Sequence, residues 1–229
     1  MFVKINSIFP NMKYWMKIFS VILILYSIVG GFLFDVPKLD ILNESIRNLY
    51  FHVTMWFSMI FLMFFSLINA IKFLKNEYVI FDIKSEAYAT TGLFISILGI
   101  LTGMVWAKFT WGTYWVNDPK LNGAAISLLI YFAYFSLRAS FNENMTKQRV
   151  SAIYNILAFV LMIIFIGVLP RMTDSLHPGN GGNPGFNKYD LSDSMKLVFY
   201  PAVIGWILFG CWLTDILIRI KKIKSNDAN

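Results

Sequence analysis

The stretch that decides the fold is residues 49–71, LYFHVTMWFSMIFLMFFSLINAI, which contains no Asp, Glu, Lys or Arg. A helix needs about 20 mostly apolar residues to cross the hydrocarbon core of a bilayer. Water cannot satisfy the backbone inside that core, so a spanning segment must pair its own N–H and C=O groups as an α-helix. Residues 49–71 therefore predict a transmembrane helix.

Five further apolar runs have a similar length, and they cover residues 14–34, 87–107, 121–137, 150–169 and 197–214. The run 121–137 is the shortest of them. None shows the alternation of apolar and polar residues that is typical of a transmembrane β-barrel. The pattern predicts an all-α fold: a polytopic integral membrane bundle of six transmembrane helices, in one domain that covers residues 1–229.

The composition excludes several other classes of protein. Of the 229 residues, 57% are hydrophobic and 14% are charged, whereas a soluble domain has about 25% charged residues. High hydrophobicity excludes a disordered chain. The single cysteine, Cys211, excludes a disulfide framework and is expected to pack as a small hydrophobic residue. The P-loop, H-E-x-x-H and Cys-x-x-Cys patterns are all missing, so no P-loop nucleotide site, zinc protease site or dithiol redox site is predicted.

The positive charges predict how the bundle is oriented, because Lys and Arg concentrate on the cytoplasmic side. Thirteen of the 20 Lys and Arg lie at the N-terminus, between runs two and three, between runs four and five, or after run six. The other seven lie in segments 35–48, 108–120 and 170–196, which are predicted to face outward. Both termini are then cytoplasmic. The net charge of +7 is assigned to membrane orientation, and no nucleic-acid binding is expected.

Two histidines are the main candidates for chemistry. His52 lies about one turn inside the outer end of the second run, and His177 lies in the outward segment before the sixth. Taken singly, His52 could be a packing residue and His177 a solvated loop residue. As a pair on one membrane face, they could bind one metal centre from opposite sides. The Gly-rich segment 177–185 that begins at His177 is expected to lack regular structure.

The outward loop 106–121 lies between them in sequence and is rich in tryptophan. Its aromatic residues could form an interfacial belt. The loop also contains glycine, basic and acidic side chains, a mixture that suits a planar apolar ligand with anionic edges. The residues that suggest this ligand are Trp106, Lys108, Trp111, Gly112, Tyr114, Trp115, Asp118 and Lys120. A second pattern, Gly92, Gly99 and Gly103 in the third run, predicts close packing between helices.

Three segments resemble the motifs of one family of haem-handling membrane proteins. Residues 111–121, WGTYWVNDPKL, are similar to its tryptophan-rich WWD signature, approximately W-G-x-x-W-x-W-D-x-R-L. Residues 47–53, RNLYFHV, resemble R-x-x-Y-x-H-V, and residues 176–179, LHPG, resemble L-H-x-G. These two motifs carry the haem-ligand histidines of the family. With six spans, the chain resembles the short members, the cytochrome c maturation protein C (CcmC) family, over nearly its whole length.

This resemblance implies a component of cytochrome c biogenesis that delivers haem and is not an enzyme. It implies a multi-pass protein of the bacterial inner membrane, with haem b bound transiently on the periplasmic side. The implied axial ligands are His52 and His177, and the other implied haem-binding residues are Trp111, Gly112, Tyr114, Trp115, Asp118, Lys120 and Arg171. The implied partners are ABC transporter subunits, a small single-span subunit and a CcmE-type haem chaperone.

Three positions depart from the family signature. Asn117 and Tyr114 stand where tryptophan is usual or common, and Lys120 stands where arginine is common. Lysine keeps the positive charge but loses the bidentate fork of arginine. Haem propionates need cationic partners, and Lys120 or Arg171 is the hypothesis here. The remaining candidates on the outer side are Arg47 and Lys108.

Two other classes of function stay open on the sequence. One is a b-type cytochrome subunit that transfers electrons within a membrane complex, and the other is a membrane transporter without haem. An electron-transfer subunit would usually need ligands at inner as well as outer depth, which the two histidines do not offer. A transporter commonly has broken helices or paired polar groups near the midplane.

Overall fold

The computed structural model describes residues 12–37, 42–177 and 191–227, with side chains up to residue 224. The described chain is organised as helices joined by short connections. Their bounds are α1 (Tyr14–Leu33), a 3₁₀ helix (Asn43–Asn48), α2 (Leu49–Asn76), α3 (Val79–Trp111), α4 (Pro119–Ala139), α5 (Asn144–Ile163), a π-helical turn (Ile164–Val168), α6 (Leu169–Met172) and α7 (Asp193–Asp227). Beyond residue 177, the predicted irregular segment 177–185 lies outside the described residues.

Six of these helical segments are long and apolar enough to cross a membrane. Five of them contain one predicted run each, and Tyr14–Leu33 matches the run 14–34 except for its last residue. The predicted all-α bundle of six spans is therefore confirmed. Its orientation stays a prediction, because the structure contains no membrane.

The predicted outer loop 106–121 is wrong at both of its ends. Residues 106–111 continue α3, which ends where Gly112 adopts a left-handed conformation with a φ of 80°. The next helix begins at Pro119, and the Asp118 side chain caps it by accepting hydrogen bonds from the backbone N–H groups of Lys120 and Leu121. Only residues 112–118 connect the two helices. At this connection both helices extend beyond their apolar runs. Gly112 sets the end of α3 and Asp118 sets the start of α4, and the change in hydrophobicity sets neither.

Helix α3 also begins eight residues before its apolar run, and a buried ion pair explains why. Arg138 of α4 donates to both carboxylate oxygens of Asp82, at 2.8 and 2.6 Å, and to Glu86 at 3.2 Å. Asp82 and Arg138 are both buried. A buried charge is tolerated when it is paired and hydrogen-bonded. These charges therefore belong to the interior of the bundle and do not mark its edge.

Helix α2 is the centre of the bundle and packs against α3, α5 and α7, while α1 packs along α7 and α4 along α5. Two of the predicted packing glycines lie at the α2–α3 contact. A Cβ atom at Gly92 would meet Met63 at 2.9 Å, and one at Gly99 would meet Trp56 at 3.2 Å. Glycine at these positions lets the two helices approach closely, as the sequence predicted.

A buried polar cluster joins three of the helices. Asn155 of α5 donates to the hydroxyl oxygens of Ser66 and Ser85, at 2.7 and 2.9 Å. Each serine hydroxyl also donates to the backbone carbonyl of the other serine. Hydrogen bonds of this kind hold helices together in lipid, at about 0.6 kcal/mol each on average.

Replacing Arg138 with methionine should destabilise the bundle strongly. The substitution leaves Asp82 buried without its cation, and breaking a buried ion pair costs about 3–5 kcal/mol. The matched control is Arg149→Met, which breaks the exposed pair with Glu77 and should cost about 0–1 kcal/mol. Thermal unfolding in detergent measures both. Equal unfolding midpoints for the two variants would show that the Asp82 pair does not hold α3 and α4 together.

Candidate functional site

His52 projects from the first turns of α2 and is held by α3. Its Nδ1 lies 2.8 Å from the Gly99 carbonyl oxygen. Because a carbonyl only accepts, Nδ1 must carry the ring proton. The indole N–H of Trp56 donates to the other ring nitrogen, Nε2, at 3.3 Å. Both contacts require a neutral imidazole with its lone pair on Nε2.

Gly103 makes room for this imidazole. A Cβ atom at Gly103 would lie 2.5 Å from Cε1 of His52 and 3.0 Å from Nδ1. Any larger residue would therefore push the ring out of its place. The glycine pattern predicted helix packing at Gly103, but the group that packs on this glycine is the imidazole of His52, the candidate haem ligand.

His177 is held by Asp118. Its Nδ1 lies 3.0 Å from Oδ1 of Asp118, and a carboxylate accepts, so this nitrogen also carries a proton. The other carboxylate oxygen accepts from the Ser175 hydroxyl at 2.8 Å and from the Leu176 N–H at 2.7 Å. Burial alone would raise the pKa of Asp118. The hydrogen bonds from His177, Leu176 and Ser175 outweigh burial and hold the pKa of Asp118 below its usual range.

Tryptophan rings bring the two imidazoles into one neighbourhood. The ring centre of Trp106 lies 5.9 Å from that of His52 and 6.5 Å from that of His177. Because both imidazoles lie next to the same indole, the distance between their ring centres cannot exceed the sum of these two distances, about 12 Å. Trp111 lies closer to His177, at 4.8 Å and nearly perpendicular to it. The indole N–H of Trp106 donates to the Ser45 hydroxyl at 3.3 Å, which fixes this ring from the 3₁₀ helix.

The other predicted site residues lie around this cluster in different states of exposure. Gly112 accepts from the Lys108 ammonium at 2.8 Å, and the same ammonium lies 5.6 Å from the ring centre of Tyr114. Tyr114 is 56% exposed and Trp115 is 39% exposed, so both present aromatic surface to the outside of the bundle. They therefore belong to an outer edge of the site.

The basic residues that are candidate partners of the haem propionates make different contacts within the protein. Arg47 donates to the carbonyl oxygens of Gly31 and Phe34, at 2.9 and 2.6 Å, and so closes the C-terminal end of α1. Arg171 is exposed and donates to the Gly167 carbonyl in the turn before it. Lys120 lies in the first turn of α4, two residues after Asp118. Arg47 therefore has a structural role that sequence reasoning did not assign.

The arrangement offers two imidazoles that each use Nδ1 for a fixed hydrogen bond. Histidines that bind a metal commonly donate their other ring N–H to a carboxylate or a backbone carbonyl, because this sets the tautomer and the ring orientation. Here the carbonyl is that of Gly99 and the carboxylate is that of Asp118. Both rings are thus prepared to donate a lone pair from Nε2. Among the described residues, no group of three or more His, Cys, Asp and Glu side chains accompanies them.

Several residues of the site were not found from the sequence. Trp56 lies four residues after His52, so the helical period already places it on the same face. Ser175 is two residues before His177, but its contact with Asp118 depends on the packing of the start of α4 against the segment that follows α6. The resemblance implies that Asp118 binds haem, whereas its described contacts hold His177 and begin α4.

Replacing Asp118 with alanine should release residues 175–177. The variant loses the acceptor for Ser175, Leu176 and His177, and leaving such groups unpaired costs about 1–3 kcal/mol. Hydrogen exchange should therefore become faster at the Leu176 amide. The matched control is Asp174→Ala. It removes an exposed carboxylate that lies two residues before Leu176 in the sequence. Unchanged exchange at Leu176 in the Asp118 variant would contradict the assigned role.

Comparison with known proteins agrees with the motifs. The CcmC family, described as "Heme exporter protein C", matches residues 3–227. A Heme exporter protein C from Rhodobacter capsulatus is 22% identical over 92% of this chain and 88% of its own length. The Haemophilus influenzae protein of the same name is 26% identical over 61% of this chain and 56% of its own length.

This chain is also similar to part of a longer kind of protein that is named for cytochrome c biogenesis. A cytochrome c biogenesis protein CcsA from Synechococcus is 34% identical over 44% of this chain. The match spans about a third of that relative, 32% of its length. The shared part is thus one region of a larger protein. Because the family match covers nearly all of the sequence, this chain belongs to the Heme exporter protein C (CcmC) family.

Proposed function

We propose that this protein binds haem on the outer face of the bacterial inner membrane and passes it on during cytochrome c biogenesis. One observation carries the proposal. His52 and His177, far apart in the sequence, both contact Trp106, and each has its Nδ1 fixed so that Nε2 remains for iron. The family and the names of its relatives support the same function.

Haem is the cargo in this proposal, and iron is its point of attachment. A neutral imidazole donates its lone pair to iron, and both rings are held in the tautomer that leaves this lone pair on Nε2. Two imidazoles fill both axial positions, so the iron has no open position for oxygen chemistry. This ligand set suits a protein that holds haem and then releases it.

The indole of Trp56 has to move when His52 binds iron. It donates to Nε2 of His52, which is the atom that would bind the metal. Haem binding therefore exchanges one hydrogen bond for a metal–nitrogen bond and leaves the Gly99 contact in place. Trp111, already packed on His177, offers an apolar surface for the porphyrin on that side.

The propionates need cations at the edge of the site. We assign Lys120 or Arg171 to this role, as the sequence suggested. Lys120 follows Asp118 on the same first turn of α4, so its position is tied to that of His177. Within the part of the chain that the structure describes, Arg171 donates to the Gly167 carbonyl, a contact that a propionate carboxylate can replace. Arg47 is engaged by the end of α1 and contributes to the shape of the site.

The exposed aromatic edge suits the hand-over of haem. Tyr114, Trp115 and Phe109 expose 56, 39 and 79% of their surface near the site. We propose that a CcmE-type haem chaperone meets the protein at this edge, and that ABC transporter subunits and a small single-span subunit are its membrane partners. Exposed apolar surface of this kind commonly marks an interaction site.

Absorbance of the purified, haem-loaded protein tests the ligands. The native protein should show the spectrum of low-spin iron with two imidazole ligands. His52→Ala and His177→Ala should each lose it, because the sequence contains no other histidine that could replace the missing one. Tyr78→Ala, an exposed residue at the opposite end of the bundle, is the control. A native spectrum in both histidine variants would overturn the proposal, and its loss in only one would revise the ligand pair.

Gly103→Ala should weaken haem binding without touching a ligand. The added Cβ collides with the His52 ring, whose displacement also breaks the hydrogen bond to Gly99. We expect at least a tenfold loss of haem affinity, measured by titration of the apoprotein. Gly205→Ala is the matched control, because a Cβ there crowds Leu23 of α1 at 3.0 Å without touching either histidine. Equal affinities for the two variants would show that the position of His52 does not matter for binding.

A further inference from the structure

A cavity lies at the end of the bundle opposite the two histidines. It has a volume of about 370 Å³ and is bounded by the first part of α1 and by α2, α3 and α7. Lys72, at its edge, follows His52 by twenty residues of α2, a rise of about 30 Å. That distance equals the thickness of the hydrocarbon core, about 30 Å. The cavity therefore faces the other leaflet from the histidines.

The walls of this cavity are apolar, and its charged residues are mainly basic. Cavities that bind small molecules are lined in this way, with a few polar groups that fix the ligand. The apolar lining includes Phe61, Phe65, Tyr88, Ile207 and Leu208. The basic residues of the lining are Lys13, Lys72 and Lys84, which come from three different helical segments.

The positive charge at this cavity is not balanced by the residues that line it. The one acidic side chain in the lining, Asp215, is paired with Arg219 at 2.6 Å. Within the described residues, Lys13, Lys72 and Lys84 form no ion pair. Lys84 faces the positive charges of Lys222 and of Lys72, and Lys72 lines the same cavity.

Three neighbouring cations at the same end of the bundle have acidic partners. Arg138 is paired with Asp82, Arg149 with Glu77, and Lys221 with Glu86. What distinguishes Lys13, Lys72 and Lys84 is that all three line one apolar cavity. An anion placed among them would relieve their mutual repulsion.

We propose that this cavity binds one anionic phospholipid from the leaflet at this end of the bundle. An acyl chain lies between the aromatic and aliphatic side chains, and the phosphate lies against Lys72 and Lys84. Basic pockets between transmembrane helices are known to recognise anionic lipid headgroups. A lipid of this class combines the two properties that the cavity selects, an apolar body and a negative charge at one end.

The position of α1 favours a ligand that comes from the bilayer. This helix packs along α7, and its first turn forms one wall of the cavity. Trp15 in this turn is 61% exposed, as expected for a residue at the membrane interface. The orientation predicted from the sequence places this end in the cytoplasmic leaflet. The site is independent of haem binding by His52 and His177.

Native mass spectrometry of the full-length protein in detergent tests the proposal, with phosphatidylglycerol and phosphatidylcholine offered at equal concentration. The native protein should retain one phosphatidylglycerol in preference to phosphatidylcholine. The double variant Lys72→Gln/Lys84→Gln should lose about 30-fold in affinity, since each lysine near an anionic surface contributes about 1 kcal/mol. The matched control is Lys75→Gln/Lys147→Gln, which removes two charges at the same end but outside the cavity lining.

Three results would overturn this assignment. The first is equal retention of the two lipids by the native protein. The second is an equal loss of phosphatidylglycerol in both double variants, which would indicate general surface charge. The third is displacement of the lipid by an equimolar amount of haemin that depends on Lys72 and Lys84, which would make the cavity a porphyrin site. Circular dichroism confirms that each variant is folded before the comparison.

Discussion

The candidate site depends above all on the hydrogen bonds that the Asp118 carboxylate accepts. Asp118 begins α4 and, with the same two oxygens, holds Ser175, Leu176 and His177. His52 needs no such device, because the close contact of α2 with α3 fixes its ring against Gly103. One imidazole is thus positioned by helix packing and the other by a buried carboxylate. Both mechanisms leave Nε2 as the ring atom that can bind a metal.

The six spans could be predicted from the sequence because a bilayer imposes a length and an apolar composition on each helix. The ends of the helices could not, because they depend on tertiary contacts. Arg138 neutralises Asp82 and lets α3 begin early, and Gly112 ends the same helix inside the predicted loop. The motifs predicted that the two histidines lie on one side of the bundle, and both contact Trp106 there; their role as haem ligands stays a prediction. The roles of Asp118 and Gly103 depend on which helices are neighbours, and no local pattern specifies that.

The structure also bears on the alternative functions. The buried cluster of Asn155, Ser66 and Ser85 is the kind of polar group that a transporter places within its helices. Its hydrogen bonds, however, join these three residues to one another, as expected for a contact that holds helices together. For electron transfer across the membrane, ligands at both depths would be needed. The sequence has two histidines, and both contact Trp106 at one end of the bundle.

The central claim is that two histidines share one iron. Electron paramagnetic resonance of the haem-loaded protein, prepared with ¹⁵N-labelled histidine, measures it most directly. Two equivalent sets of ¹⁵N couplings from axial imidazoles are predicted, with the signal of low-spin ferric iron. Coupling to a single labelled nitrogen, or to none, would show that His52 and His177 do not bind the same haem.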